Sequence, residues 1–481
     1  MFGLEERATS DATALIVGQG EVLTYQALVR SISESGSLFE YPEKALVAIF
    51  GDRNVDSVIA YLASLSRGHA CGFFGDVSAV TESALVRNYE PESVVRPHRS
   101  SETCPLCAGD YRAVGALPGG SVVHSRQRAS HGRICADLAL LLTTSGSTGS
   151  PKVIRLSQAN LEANAAAIVA AQHVRARDRA ITSLPLSHGY GLAVLNSSLA
   201  AAASVVVTAD RVLSARFWQS VARDDVTTFA GVPAVYEVLA RRGFNPAEYP
   251  ALTTMMQSGG RLADGLIWRY AELMEQKGGQ FWVMYGQTEA CARITCLPPA
   301  DCKKRLGSVG RVIPGGTLTI ENGEASPLPE RCTGSIVYSG PSVMLGYAQS
   351  RDDLASGDVM GGRLLTGDVG YLQDGYLYLT GRTKRIVKVL GYRIELDQVE
   401  KEFAELGPAA VIRGAGENIV VFVETRRAEH ENMCEQIVRR LGLPPGILAL
   451  VQVGAIPRTR VGKPDYSALA RVPRSGKPGW E

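Results

Sequence analysis

Short apolar runs alternate with amphipathic stretches of helical length through most of this sequence, and that alternation limits the folds open to it. Ala45–Phe50 reads as a buried strand and Asp56–Leu65 as the helix after it. Leu138–Leu142 is a second apolar run, and Ser157–Ala171 is Ala-rich with a serine positioned to cap a helix. The rhythm returns in Thr227–Ala230 with Ala234–Arg241, and in Thr253–Met256 with Ala263–Gln276. Strands that alternate with helices of this length predict α/β layers with largely parallel sheets. The most apolar stretch, Gly191–Ala209, is interrupted by Asn196, Ser197 and Ser198, so it reads as a buried helix followed by a strand and not as a membrane span.

After about residue 305 the texture changes to frequent glycines and short strands such as Ser335–Tyr338 between turns. In Tyr371–Leu379 the pair Asp374-Gly375 divides alternating apolar residues, which predicts a two-residue hairpin. Beyond Gly381 the chain reads as a small α+β unit, with Asp397 and Glu400 resembling a helix-start capping pair and Ile419–Val423 a strand. The expected fold class is α/β. A large N-terminal domain over 1–382 holds layered α/β subdomains with parallel-rich sheets plus a β-rich subdomain, and a small α+β domain covers 383–481.

Charge and cysteine usage remove several function classes. Lys and Arg number 50 against 48 Asp and Glu, a formal charge of +2, whereas a sequence-independent nucleic-acid binder needs a strong basic excess. The basic stretch Arg382–Arg393 interleaves its charges with apolar residues as a strand does. Nine cysteines are spread thinly, and Cys104–Cys107 is a lone CxxC with no second pair at zinc spacing. The opening residues lack a basic segment followed by an apolar one. The expectation is a soluble cytoplasmic protein with reduced thiols and neither nucleic acid nor membrane as partner.

One segment carries chemistry. The strand Leu138–Leu142 runs into Thr143, Thr144, Ser145, Gly146, Ser147, Thr148 and Gly149, then Ser150-Pro151-Lys152. Glycines let backbone N–H groups turn inward, hydroxyls add donors and the lysine adds charge, which together suit a polyphosphate. Pro151 precedes Lys152 where a Walker A loop has glycine, so the loop is of another kind.

With this loop the sequence resembles the AMP-forming adenylating enzymes: acyl-CoA synthetases, the adenylation domains of peptide synthetases, and firefly luciferase. Further motifs occur in that family's order. Leu184–Gly191 resembles the substrate-side motif, Ser258-Gly259-Gly260 the adenine-flanking motif, and Tyr285-Gly286-Gln287-Thr288-Glu289 the magnesium motif. Thr366-Gly367-Asp368 and Gly381-Arg382 resemble the ribose motifs, and Pro457–Lys463 the catalytic-lysine motif. Gly334-Ser335 departs from the Gly-Glu of many members.

The resemblance implies a reaction and its parts. A carboxylate is a poor acyl donor until attack on the α-phosphorus of ATP makes it a mixed anhydride with AMP as leaving group. Thr143–Gly149 and Lys152 would then hold the phosphates, Glu289 would bind Mg²⁺, and Asp368 and Arg382 would serve the ribose. Tyr285 would stack on adenine, flanked by Gly259, Gly260, Gly286, Gln287 and Thr288. Lys463 would reach both the acid and the α-phosphate. Lys384 would be the hinge of a mobile lid, after whose rotation Lys388 and Gly391 serve thioester formation with CoA.

The residues just after His188 constrain the acid. Peptide-synthetase domains carry an aspartate there for an α-ammonium group, and Gly189-Tyr190-Gly191 offers none. His188, Gly189, Tyr190, Phe229, Ala230, Gly231, Ser258 and Met284 are the expected pocket walls, a mix of flat and small groups suited to an aromatic acid such as a hydroxy- or aminobenzoate, or to a medium acyl chain. The expected activity is ATP-dependent carboxylate–CoA ligation, with ATP, Mg²⁺ and CoA. The alternative is loading of an acyl carrier protein's phosphopantetheine.

Overall fold

The computed structural model describes residues 1–75, 77, 79–97, 110–128, 130–143, 153–382, 385–389, 392–414, 418–424, 437, 447–459 and 462–472. They form two compact units. One holds the described residues up to 143, with 153–317 and 338–364; the other holds 318–337 and the described residues from 365 onward.

The first unit contains two sheets of the kind the alternation predicts. In one, six strands run parallel in the spatial order Thr13–Val17, Ser204–Val207, Arg179–Ile181, Thr228–Gly231, Thr254–Gln257 and Gln280–Tyr285. Antiparallel strands border them: Glu21–Thr24 on one side, Thr295–Leu297 and Ser308–Val312 on the other. In the other sheet Leu138–Thr143, Ala70–Phe73, Leu46–Ile49 and Ser93–Arg96 are parallel neighbours. Strands of a parallel sheet covered on both faces read as continuous apolar runs. Leu46–Ile49 and Leu138–Leu142 are accordingly buried throughout.

Helices form where the local chemistry starts them. Ser157 caps Gln158–Gln172 through a reciprocal box: its hydroxyl accepts from the Asn160 amide at 3.0 Å, and the Asn160 side chain accepts from the Ser157 amide at 2.9 Å. Asn54 caps Val55–Ser66 by a single bond, its side chain accepting from the Ser57 amide. The apolar stretch from Gly191 becomes the buried helix Gly189–Ala200 and then the buried strand Ser204–Val207. Among the described residues no helix is long and apolar enough to cross a membrane.

The second unit is richer in strands. Thr317–Glu321, Gly334–Ser339, Arg363–Gln373 and Tyr376–Arg382 are neighbours in that order. Asp374 and Gly375 both take positive φ, 53° and 76°, which is the backbone a tight hairpin turn demands. Further on lie the hairpin of Ile386–Val389 with Tyr392–Glu395, the helix Leu396–Phe403, and a sheet of Ala409–Arg413, Ile419–Glu424 and Leu448–Val453. Val399, Phe403, Val411, Val421 and Ile437 share its core. Asp397 and Glu400 do not cap the helix. Asp397 lies inside the first turn, and both carboxylates receive the Arg385 guanidinium, a stronger donor than an exposed backbone amide.

One glycine fixes how the helix Gly189–Ala200 begins. A Cβ on Gly191 would stand 2.2 Å from the Pro185 carbonyl oxygen, and a backbone atom cannot swing away as a side chain can. Gly191→Ala should lower stability by about 1–3 kcal/mol through overpacking. A chemical-denaturation midpoint equal to wild type would contradict this packing.

Candidate active site

Carboxyl ends of adjacent parallel strands are where open α/β sheets bind ligands. Here Gly231, Gln257 and Val283 are register partners on Thr228–Gly231, Thr254–Gln257 and Gln280–Tyr285. The segments Phe229–Gly231, Ser258–Gly260 and Met284–Glu289 are therefore brought side by side at one sheet edge. The neighbouring strand Arg179–Ile181 runs the same way and leads into Leu184–Gly191. The sheet thus gathers four segments that the sequence singles out separately.

Contacts tie these segments together. The Ser258 amide donates to the Gly231 carbonyl at 3.3 Å, and the buried Gln257 carboxamide donates to the Gly260 carbonyl at 2.6 Å. Gly259 sits at φ +85°, a conformation glycine adopts at no steric cost. A Cβ on Gly189 would come within 3.3 Å of the Thr288 side chain, so the substrate-side and magnesium motifs touch. Gly286 lies so close to the Ala292 carbonyl oxygen that a Cβ there would approach to 2.2 Å. Gln287 starts a short turn of helix over Thr288–Ala290, its carbonyl accepting from the Ala290 and Ala292 amides.

The expected pocket walls are mostly buried. Phe229 packs edge-on against Phe217 and Tyr236, and Ser183 donates its hydroxyl to the Ala230 carbonyl at 2.5 Å. Tyr190 is 3% exposed; its hydroxyl donates to the Met256 carbonyl at 3.2 Å, and burial raises its pKa. Its hydroxyl is thus engaged within the protein. His188 caps the helix Gly189–Ala200, its Nδ1 accepting from the Tyr190 amide at 3.3 Å. Tyr285 is 7% exposed, and its carbonyl accepts from the Ile294 amide.

Thr143 and Val153 pair across Leu138–Thr143 and Val153–Ser157, so the base of the Ser/Thr/Gly loop is an antiparallel pair. Thr144, Ser145, Gly146, Ser147, Thr148, Gly149 and Lys152 lie outside the described residues. The outer neighbour of Val153–Ser157 is Gly346–Ala348, where Tyr347 donates its hydroxyl to Glu289 Oε1 at 3.0 Å. Burial and the Glu289 charge raise the pKa of that phenol.

In the second unit Asp368 and Arg382 are cross-strand partners, with Arg382 Nε donating to Asp368 Oδ1 at 2.8 Å. Asp368 is 5% exposed, and its amide is held by the Thr366 hydroxyl at 3.1 Å. Lys388 pairs with Arg393 in the hairpin, while Lys384 and Gly391 lie outside the described residues. Lys463 is bonded to Thr459: its carbonyl accepts from the Thr459 amide at 2.7 Å, its amide donates to the Thr459 hydroxyl at 3.2 Å, and Gly462 beside it takes φ +79°.

Tyr347 and three further residues of the site region escape sequence reading. Asp52, after the strand Leu46–Ile49, accepts from the Leu186 amide at 2.5 Å and the Ser187 hydroxyl at 2.6 Å, so it anchors the substrate-side motif. Burial raises its pKa against these hydrogen bonds. Arg155 is a buried guanidinium bonded to the carbonyls of Leu345, Tyr347, Ser356 and Gly357, which fixes the strand that carries Tyr347. Arg293 is the one charge in the mostly apolar segment Ala290–Leu297, and that is the signal the sequence offered.

Residues 4–348 match the AMP-binding enzyme family, and the chain belongs to that family. A probable CoA ligase of Humulus lupulus is 25% identical over 439 residues, 85% of this chain and 83% of the relative. An indoleacetate–CoA ligase of Aromatoleum aromaticum is 29% identical over 340 residues, 67% of this chain and 65% of the relative. Among solved structures, the O-succinylbenzoate coenzyme A synthetase of Bacillus subtilis in complex with AMP superposes with a TM-score of 0.79, covering 99% of both chains at 20% identity, and so shares the fold.

Asp52→Ala would leave the Leu186 amide and Ser187 hydroxyl without their acceptor. The expected loss is about 1–3 kcal/mol, read as a lower urea midpoint. An unchanged midpoint would contradict the anchoring role.

Proposed function

We propose that this enzyme is an ATP-dependent carboxylate–CoA ligase acting through an acyl-adenylate. The observation that carries the reading is the alignment of three motif segments, with the expected wall segment Phe229–Gly231, at the carboxyl ends of adjacent parallel strands. The named CoA-ligase relatives support the ligase class, and the absence of an acid after His188 argues against an α-amino acid. The flat and small walls favour an aromatic acid, in keeping with the indoleacetate named for one relative.

In the first half-reaction a carboxylate oxygen attacks the α-phosphorus, the bond to the β-phosphate oxygen breaks and pyrophosphate leaves. Thr143–Gly149 with Lys152 would hold the departing phosphates, Tyr285 the adenine, and Asp368, oriented by Arg382, the ribose. Lys463 would stabilise the charge that builds between acid and α-phosphate. In the second half-reaction the thiol attacks the acyl carbon, AMP leaves and the thiol proton passes to solvent. Residues 383–481 would act as the lid, turning about Lys384 to exchange Lys463 for Lys388 and Gly391.

The residues fit magnesium. Glu289 is a half-buried carboxylate oriented by Tyr347, and among the described residues no group of three or more His, Cys, Asp or Glu stands at metal-binding spacing. One carboxylate beside substrate phosphates is how proteins usually take this ion, which would neutralise phosphate charge. Tyr347→Phe removes the hydrogen bond that orients Glu289. It should raise the Mg²⁺ concentration for half-maximal adenylation several-fold while leaving the KM for CoA unchanged.

Lys463→Ala should slow adenylation at least a hundredfold, the scale of one lost charge-stabilising donor. Adenylation within a few-fold of wild type would remove the assignment. Lys384→Pro should spare acyl-adenylate formation and abolish thioester formation, whereas equal loss of both would defeat the lid. Offering CoA against a phosphopantetheinylated carrier protein, with thioester product read directly, tests the acceptor; transfer to the carrier alone would replace CoA ligase with carrier loading.

A further inference from the structure

Arg293 is a charge that the proposed reaction leaves unused. It is 1% exposed, and a guanidinium stays protonated even when buried, so its charge needs a counterpart. Among the described residues no carboxylate pairs with it. One terminal nitrogen donates to the Met284 sulfur, the guanidinium carbon stands 5.2 Å from the centre of the Tyr190 ring, and Nε has no hydrogen-bond partner. A ring face and a thioether soften the charge without neutralising it.

A second buried donor meets the same sulfur. The Gln172 carboxamide, at the end of the helix Gln158–Gln172, donates to Met284 Sδ at 3.1 Å and to Met256 Sδ at 3.3 Å. Thioether sulfur is a weak acceptor. An arginine and an amide thus converge on a methionine with no carboxylate between them. The Tyr190 hydroxyl beside them donates to the Met256 carbonyl, and its oxygen accepts from Arg293, which gives that guanidinium a neutral partner and no counter-charge. Met284 is flexible enough to give way to a better acceptor.

We propose that Arg293, with Gln172 beside it, binds a second anionic group on the acid substrate, a carboxylate or sulfonate remote from the carboxylate that is adenylated. This rests on the proposed function, which takes Tyr190 and Met284 as walls of the acid pocket. The planar guanidinium can grip such a group with two parallel hydrogen bonds. The same charge repels an α-ammonium, a second reason for an amino acid to be excluded. Hydroxy- and aminobenzoates become the weaker members of the substrate class, and acids with two anionic ends the stronger.

The test compares terephthalate, 4-sulfobenzoate and succinate with benzoate, 4-hydroxybenzoate and butyrate, on wild type, Arg293→Met and Arg293→Lys. Acid-dependent ATP–pyrophosphate exchange gives kcat/KM, and melting temperature with each acid but no ATP gives binding without turnover. Wild type should favour one or more of the two-anion acids at least tenfold over its matched monoacid. Arg293→Met should lose that preference while gaining on monoacids and melting no lower than wild type, since an uncompensated buried charge has gone. Arg293→Lys should retain part of it. A wild type that prefers monoacids, or an Arg293→Met that melts lower and loses all acids in proportion, would overturn the proposal and leave Arg293 a core residue. Thermal protection by two-anion acids that Arg293→Met abolishes, in a wild type without exchange, would sink the adenylation reading and keep this one.

Discussion

The parallel register of Thr228–Gly231, Thr254–Gln257 and Gln280–Tyr285 is the constraint on which the site depends. Parallel strands all end at the same edge, so segments far apart in sequence emerge together there. A one-residue slip would turn Met255, Met256 and Trp282 from one face to the other and misalign the loops beyond them. Close backbone approaches hold the arrangement: Gly286 lies against Ala292, and the Gly260 carbonyl is fastened by Gln257.

The fold was largely legible because its signal is local. A buried parallel strand must be apolar throughout and a helix must bury one stripe, so Leu46–Ile49, Val55–Ser66 and Thr254–Gln257 could be placed within a residue or two. The Asp374-Gly375 turn was legible for the same reason, since few dipeptides tolerate two positive φ angles. Asp397 and Glu400 show the limit. Their spacing matches a cap, but a guanidinium within reach wins both carboxylates, and Arg385 could not be located from spacing.

Segments such as Ser258–Gly260 and Met284–Glu289 could be singled out because each is written in consecutive residues, whereas what depends on tertiary contact was illegible. Asp52 lies 134 residues from Leu186, and nothing near it in sequence hints at the loop it anchors. Tyr347 and Arg155 become meaningful only once an antiparallel strand pair sets them side by side near Glu289. His188 reads as a pocket wall from its motif, whereas the contact the structure gives its ring nitrogen is the one that starts a helix.

The central claim is that an acid's carboxylate oxygen displaces pyrophosphate at the α-phosphorus. The most direct measurement supplies an accepted acid labelled with ¹⁸O in its carboxylate, together with ATP, Mg²⁺ and CoA, and follows the label by mass spectrometry. The account predicts AMP carrying one ¹⁸O atom for each thioester formed. Unlabelled AMP, or label recovered in inorganic phosphate beside ADP, would contradict it.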